Sequence, residues 1–258
     1  MLVTLTDVSK GFLDETILEK INMSINEGDK IGLMGVNGAG KTTLLNIIAG
    51  VLPCDEGTVS KKSNLEIGYL QQNEALDDGN TLEEEINSAL ERSYTVRRLM
   101  AEISAKMASA DVGSDGYKRL ENEYAALDNE YTALDGYTAD TRINRVLTGL
   151  GFRDFDLKMK TSALSGGEKM RFGMAKILLR NPELLILDEP TNHLDFSMLA
   201  WLEDYIKSYK GAVLTVSHDR YFLDSIVSSI YEIEQKHIYK YKGGYSAFIK
   251  QKEERLRV

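Results

Sequence analysis

The sequence predicts an α/β fold with a parallel core sheet, an antiparallel β portion and a helical portion carrying a helical hairpin. Three observations predict it. The apolar runs at residues 184–188 and 212–217 are short, continuous and set between helical segments, the pattern of strands buried on both faces of a parallel sheet. A third apolar strand, residues 30–34, runs straight into a glycine-rich turn and a helix. Between residues 72 and 165 the periodicity changes from strand to helix.

Strand-like alternation fills the first 34 residues. A helix starts at Lys41, turns Leu44, Leu45, Ile47 and Ile48 toward the core, and stops at Gly50 ahead of Pro53. A strand follows at 65–70. In the helical span, Val96, Met100, Ile103, Met107 and Ala110 recur at spacings of 4, 3, 4 and 3. After the turn-rich residues 111–116, Tyr117, Leu120, Tyr124, Leu127, Tyr131 and Leu134 do the same. Two apolar stripes joined by a glycine-containing turn describe an antiparallel hairpin with coiled-coil packing. Periodicity leaves two uses open for the stripes: the core of a hairpin laid flat on the domain, or the seam of an arm that projects to a partner. The expected organisation is a single domain, 1–258, with its core at 1–72 and 165–235. A helical subdomain at 73–164 bears the arm at about 81–140, and a C-terminal hairpin with the start of a linker helix occupies 236–258.

The net charge of -9 gives the whole molecule no general attraction for nucleic acid or anionic membrane. Charge is unevenly placed: residues 81–140 hold thirteen acidic and six basic side chains, whereas 236–258 hold seven basic and two acidic ones. The one cysteine, Cys54, excludes an internal disulfide and suits a reducing, cytoplasmic compartment. The N-terminus lacks the basic start and long apolar stretch of a signal peptide. No apolar run nears the roughly eighteen residues needed to span a bilayer, so direct membrane insertion is not expected.

The chemistry is concentrated in four short segments. In Gly35-Val36-Asn37-Gly38-Ala39-Gly40-Lys41-Thr42, followed by Thr43, the glycines let backbone N–H groups curl around a phosphate, and the following helix adds its positive dipole end. Lys41 reaches β- and γ-phosphates, and the Thr42 hydroxyl suits Mg²⁺. Asp188 ends an apolar strand where it can hold Mg²⁺ through water, and Glu189 lies where a carboxylate can orient and deprotonate an attacking water. His218, after the strand at 211–217, is placed to sense or stabilise γ-phosphate charge. Gln72 is expected to touch both Mg²⁺ and the water, with Gln71 beside it as the alternative by one residue. Phe12 is either a stacking platform for adenine or a core phenylalanine at a strand end. Ser165-Gly166-Gly167 precedes a helix and makes a second anion site. One triphosphate does not need two such sites. The economical arrangement is two domains face to face, each closing this segment over the other's ATP.

Together, the phosphate loop, Leu164-Ser165-Gly166-Gly167-Glu168, the 184–189 strand end and Ser217-His218-Asp219 resemble an ATP-binding cassette of the P-loop NTPase class over almost the whole chain. Within that superfamily the chain is similar to the ABC-F group, tandem cassettes without a membrane domain. The residues that carry this are Asp188-Glu189-Pro190-Thr191-Asn192-His193-Leu194-Asp195, Ser217-His218-Asp219-Arg220-Tyr221-Phe222-Leu223-Asp224 and the tail from Tyr241 to Phe248, leading into Lys252-Glu253-Glu254-Arg255. The resemblance implies an ATPase whose cofactors are ATP and Mg²⁺, and whose complete site takes a pair of cassettes. It also implies that residues 192–195, ending at the nucleotide-contacting Asp195, couple the two sites, and that the hairpin is the family's arm. The implied partners are a second cassette, tandem or identical, and the ribosome, through rRNA or tRNA. The role would be in translation or in protection against ribosome-targeting antibiotics. One cassette is present, so the chain is expected to be the N-terminal half of a longer protein. An acidic arm is a poor grip on RNA, because such contact is electrostatic at base; the basic tail helix is either an RNA contact or a solvated face. The alternative function is the nucleotide-binding subunit that energises a membrane transporter. A DNA-directed ATPase is disfavoured, since the coiled coils of that class are far longer.

Overall fold

The computed structural model describes residues 1–13, 15–70 and 76–257. Strands β1 (Val3–Phe12), β2 (Glu15–Ile25) and β3 (Lys30–Met34) open the chain, and α1 (Lys41–Ala49) follows the glycine loop. Next come β4 (Glu56–Lys61), β5 (Ile67–Leu70), α2 (Leu82–Ala89), α3 (Glu91–Ala108), α4 (Asp115–Ala133) and α5 (Ala139–Gly149). The second half runs α6 (Gly166–Arg180), β6 (Leu184–Asp188), α7 (Phe196–Ser208), β7 (Ala212–Val216), α8 (Arg220–Ile226), β8 (Ser229–Glu234), β9 (His237–Lys242) and α9 (Tyr245–Arg257).

Two sheets result. One is three-stranded and antiparallel, in the order β2-β1-β4; the other is six-stranded, in the order β5-β6-β7-β3-β8-β9, and parallel except for β9. The order β6-β7-β3 matters most, because it sets the carboxyl ends of three consecutive strands side by side.

The continuous apolar runs have a direct explanation. On β6, Leu184 and Ile186 face one core with α1 and the antiparallel sheet, while Leu185 and Leu187 face a second core built with α6, α7 and α8. Both faces are covered, so neither position can be polar. β4 escapes a reading by pattern because Glu56-Gly57-Thr58-Val59-Ser60-Lys61 is an edge strand exposed almost throughout. The strand read at 65–70 begins at Ile67.

α3 and α4 form the expected hairpin, with Val96, Met100 and Tyr131 buried in a cluster of their own and Tyr124, Leu127 and Leu134 packed against it. A separate cluster favours the arm over a hairpin laid flat on the domain. Both hairpin helices, α3 and α4, lie within the span 81–140 expected for the arm. Leu82, Ile86 and Leu90 belong to the main core, where α2 packs on α6.

The tail also differs from a free basic helix. Lys252 pairs with Glu232 and Glu234, Arg255 pairs with the same two carboxylates, and the Arg255 guanidinium sits 3.8 Å over the Tyr239 ring. Two of the seven basic tail side chains are therefore spent on anchoring α9 to β8 and β9, not left for RNA. No described helix is long and apolar enough to cross a membrane.

Candidate nucleotide site

At the carboxyl ends of β3, β6 and β7 lies a cleft of about 420 Å³. It is lined by Phe12, Asn37, Gly38, Gly40, Lys41, Thr42, Thr43, Asp188, Glu189 and His218, together with Ile17 and Val216. Gly40 is required on two counts. Its φ is 98°, and a Cβ there would stand 2.8 Å from Ile17 Cγ2 and 2.9 Å from Leu18 Cδ2. α1 has no side-chain cap at this end, so the N–H groups of its first turn are left for an anion. Lys41 Nζ donates to the Gly35 carbonyl at 2.7 Å and the Val36 carbonyl at 3.1 Å, holding the cation at the mouth of the loop.

The Thr42 hydroxyl lies 3.4 Å from Asp188 Oδ2. A hydroxyl beside a carboxylate is the hard-oxygen pair that suits Mg²⁺, which keeps several waters and takes phosphate oxygens for the rest. Burial pushes the Asp188 carboxyl above its ordinary range, against the pull of Thr42 and Lys41. Glu189 is raised in the same direction by burial, while His218 opposes the shift. The His218 backbone N–H donates to Glu189 Oε2 at 3.3 Å, and its ring Nε2 is 3.5 Å from Oε1. Glu189 adopts a left-handed backbone, φ 52°, an unusual state for a non-glycine residue. Its N–H donates to the Val216 carbonyl at 2.9 Å, which ties that conformation to β7.

Phe12 is 47% exposed, with Lys10 Nζ 5.6 Å over its ring, so it belongs to the cleft wall and not to the core. Gly35 and Ala39 shape the loop without lining the cleft: a Cβ on Gly35 would stand 2.9 Å from the Ile233 carbonyl oxygen, and Ala39 N–H donates to the Val36 carbonyl at 3.1 Å. Gln72 and its neighbour Gln71 lie outside the described residues.

Ser165, Gly166 and Gly167 are not among the residues lining this cleft. Ser165 caps α6 in a reciprocal box with Glu168, and a Cβ on Gly167 would lie 3.6 Å from His193. The segment thus abuts the loop of residues 192–195. Asp195 is also outside the cleft; it caps α7, accepting from Met198 N–H at 2.9 Å and Ser197 Oγ at 2.7 Å.

Two features escaped the sequence reading. Ile17 and Val216 are lining residues whose only signals were strand alternation for the first and a continuous apolar run for the second. Tyr69, on β5 beside β6, has its phenol pushed up to about 12 by burial and the Asp188 carboxylate.

A strand-loop-helix phosphate cradle, with two buried carboxylates on the neighbouring strand and a second glycine helix start held apart from both, defines one protein class. A family profile described as ABC transporter matches residues 18–192, and the chain belongs to that family of ATPase cassettes. It is 42% identical over 257 residues to the protein YdiF of Bacillus subtilis, covering 98% of this chain and 39% of YdiF. The energy-dependent translational throttle protein EttA of Haemophilus influenzae is 39% identical over 240 residues, covering 93% of this chain and 42% of EttA, which bears out the resemblance to an ABC-F cassette. The chain spans less than half the length of these relatives. Among solved structures, the ATP-binding subunit of an ABC transporter superimposes with a TM-score of 0.72 at 19% identity, covering 98% of this chain and 94% of that one. The cassette MJ0796, a dimer in a post-hydrolysis state bound to ADP and phosphate, gives 0.61 at 22% identity over 93% and 98% of the two chains.

Proposed function

We propose that this chain binds Mg·ATP in the cleft, hydrolyses it when a second cassette closes over it, and uses that closure on the ribosome. The carrying observation is the split geometry: Lys41, Thr42, Asp188, Glu189 and His218 share one cleft, while Ser165, Gly166 and Gly167 lie outside it. Each cassette then offers half of two sites. Lys41 and the loop N–H groups bind the β- and γ-phosphates, and Phe12 stacks on the base. Thr42 and Asp188 hold Mg²⁺, which when bound neutralises charge on the β- and γ-phosphate oxygens. Glu189 takes the proton of the attacking water; its raised affinity for a proton suits a general base. His218 holds the Glu189 carboxylate in place and faces the γ-phosphate. Gln72 completes the metal and water contacts. From the partner cassette, Ser165 to Gly167 receive the γ-phosphate at a helix start, and Asp195 closes the seam.

The ribosomal role draws on the likeness to EttA, whose name assigns that protein to translation. The family description favours a second reading, a transporter's energising subunit. One experiment separates them: fractionate cells expressing the Glu189→Gln chain with ATP. Co-sedimentation with ribosomes supports the first reading; recovery with the membrane pellet, and none on ribosomes, supports the second. The nucleotide site has its own test, because Lys41→Ala abolishes ATP binding in calorimetry, and retained affinity would remove the phosphate-loop assignment.

A further inference from the structure

At the foot of the arm this acidic chain is locally basic. Arg142 and Arg145 of α5 and Lys210 after α7 line a cleft of about 260 Å³ that contains one carboxylate, Asp135. That carboxylate is already engaged: it accepts from Asn181 Nδ2 at 2.7 Å and stands 3.8 Å from Arg142. The Arg142 side chain is only 12% exposed, its Nη1 reaches the Leu134 carbonyl at a long 3.5 Å, and its buried Nε has no partner among the described residues. A guanidinium this far out of water, with only one carboxylate at a long 3.8 Å, leaves positive charge at the cleft that an anion would offset.

The wall is pre-formed. Tyr205 and Tyr209 stack with centroids 5.9 Å apart, and their hydroxyls donate to the Leu178 and Pro182 carbonyls. Arg145 rests 5.4 Å over the Tyr205 ring, with Nη2 3.4 Å from Ser208 Oγ. The Arg145 guanidinium and the Lys210 ammonium, with Arg142 behind them, line one cleft beside the Ser208 hydroxyl, a donor set that suits a phosphate group because a guanidinium fork matches its paired oxygens and the cations match its charge.

We infer that this cleft is an oxyanion site for a phosphate group, supplied by an RNA backbone or by a free phosphorylated small molecule. It stands on its own geometry and not on the ribosomal reading, so failure to sediment with ribosomes leaves it to its own test. Arg145 and Lys210 are exposed, and Arg145→Glu with Lys210→Glu keeps the fold. Binding is measured with Lys41→Ala present throughout, by calorimetry with pyrophosphate and by anisotropy with a labelled RNA hairpin. At least one probe binds, and the double variant weakens it by roughly tenfold or more; for RNA, the slope of log K against log salt falls by about 1–2. The charge-matched control, Lys118→Glu with Arg119→Glu on α4, changes binding less than about twofold. A response with pyrophosphate alone assigns the free small molecule, and a response with RNA assigns the backbone. No response to the double variant with either probe, or an equal loss in the control, overturns the site.

Discussion

Asp188 and Glu189 set the behaviour of the site one residue at a time. Burial raises both carboxyls above their ordinary range, so the folded chain holds these protons to higher pH than the unfolded chain does. The two groups cost no stability at pH below their unfolded values, and that advantage is lost as pH rises through the folded ones. Asp188→Asn keeps a partner for Thr42 and removes the buried charge. In magnesium-free buffer at neutral pH it raises the thermal midpoint, the direction that removing a buried charge dictates. The gap to the unsubstituted chain closes as pH falls into the carboxylate range, and calorimetry at several pH values reads it directly. A gap independent of pH would mean that charge burial is not the cause. Glu189→Gln retains ATP affinity and lowers turnover about 10²- to 10⁴-fold, the range for losing a general base; steady-state phosphate release and calorimetry separate the two effects. These positions were legible in the sequence because phosphate and metal chemistry allows few residue types at fixed spacing. The left-handed backbone of Glu189 was not, since it is imposed by the N–H bond to Val216 on a strand 27 positions away.

At the scale of elements, legibility followed burial. β6 and β7 read clearly because both faces of each are covered, whereas the exposed edge strand β4 carries no apolar alternation to read. α3 and α4 showed a stripe at helical spacing, but periodicity did not reveal that α2 lies in a different core from α3. The tie that holds α2 is polar. Glu85 is 1% exposed, accepts from Asn80 Nδ2 at 2.7 Å and pairs with Lys176 on α6, the helix that begins at Gly166 and Gly167. Nothing in the spacing of Glu83, Glu84 and Glu85 marks the third as the buried one. Glu85→Ala strands Lys176 and destabilises the chain by about 3 kcal/mol, as breaking one side of a buried pair does; urea unfolding measures it. Lys176→Met with Glu85→Leu recovers much of that loss, because the pair is replaced and not broken.

At the scale of the whole molecule, exposed apolar side chains gather around the motifs. Val36, Phe196 and Tyr221 are 78%, 88% and 88% exposed, and each lies in or just after a loop leaving β3, β6 or β7. Under the proposed pairing, large apolar groups on the rim of a half-built site are where a second cassette would close. The phosphate loop alone gives no reason for an apolar residue at 36, 196 or 221, whereas a seam between two cassettes does. With Mg·ATP, light scattering on the Glu189→Gln chain shifts from the single-chain mass of 28.9 kDa toward twice that value. Phe196→Ser with Tyr221→Ser weakens this pairing by roughly tenfold or more, as loss of two buried aromatic anchors does. ATP affinity of the single chain, which depends on Lys41 and the loop, stays within about twofold, because neither aromatic lines the cleft. If the mass stays at one chain with ATP bound, self-pairing does not complete the site. The covering cassette must then come from a different polypeptide segment, and the same two substitutions are to be read against that segment added in trans.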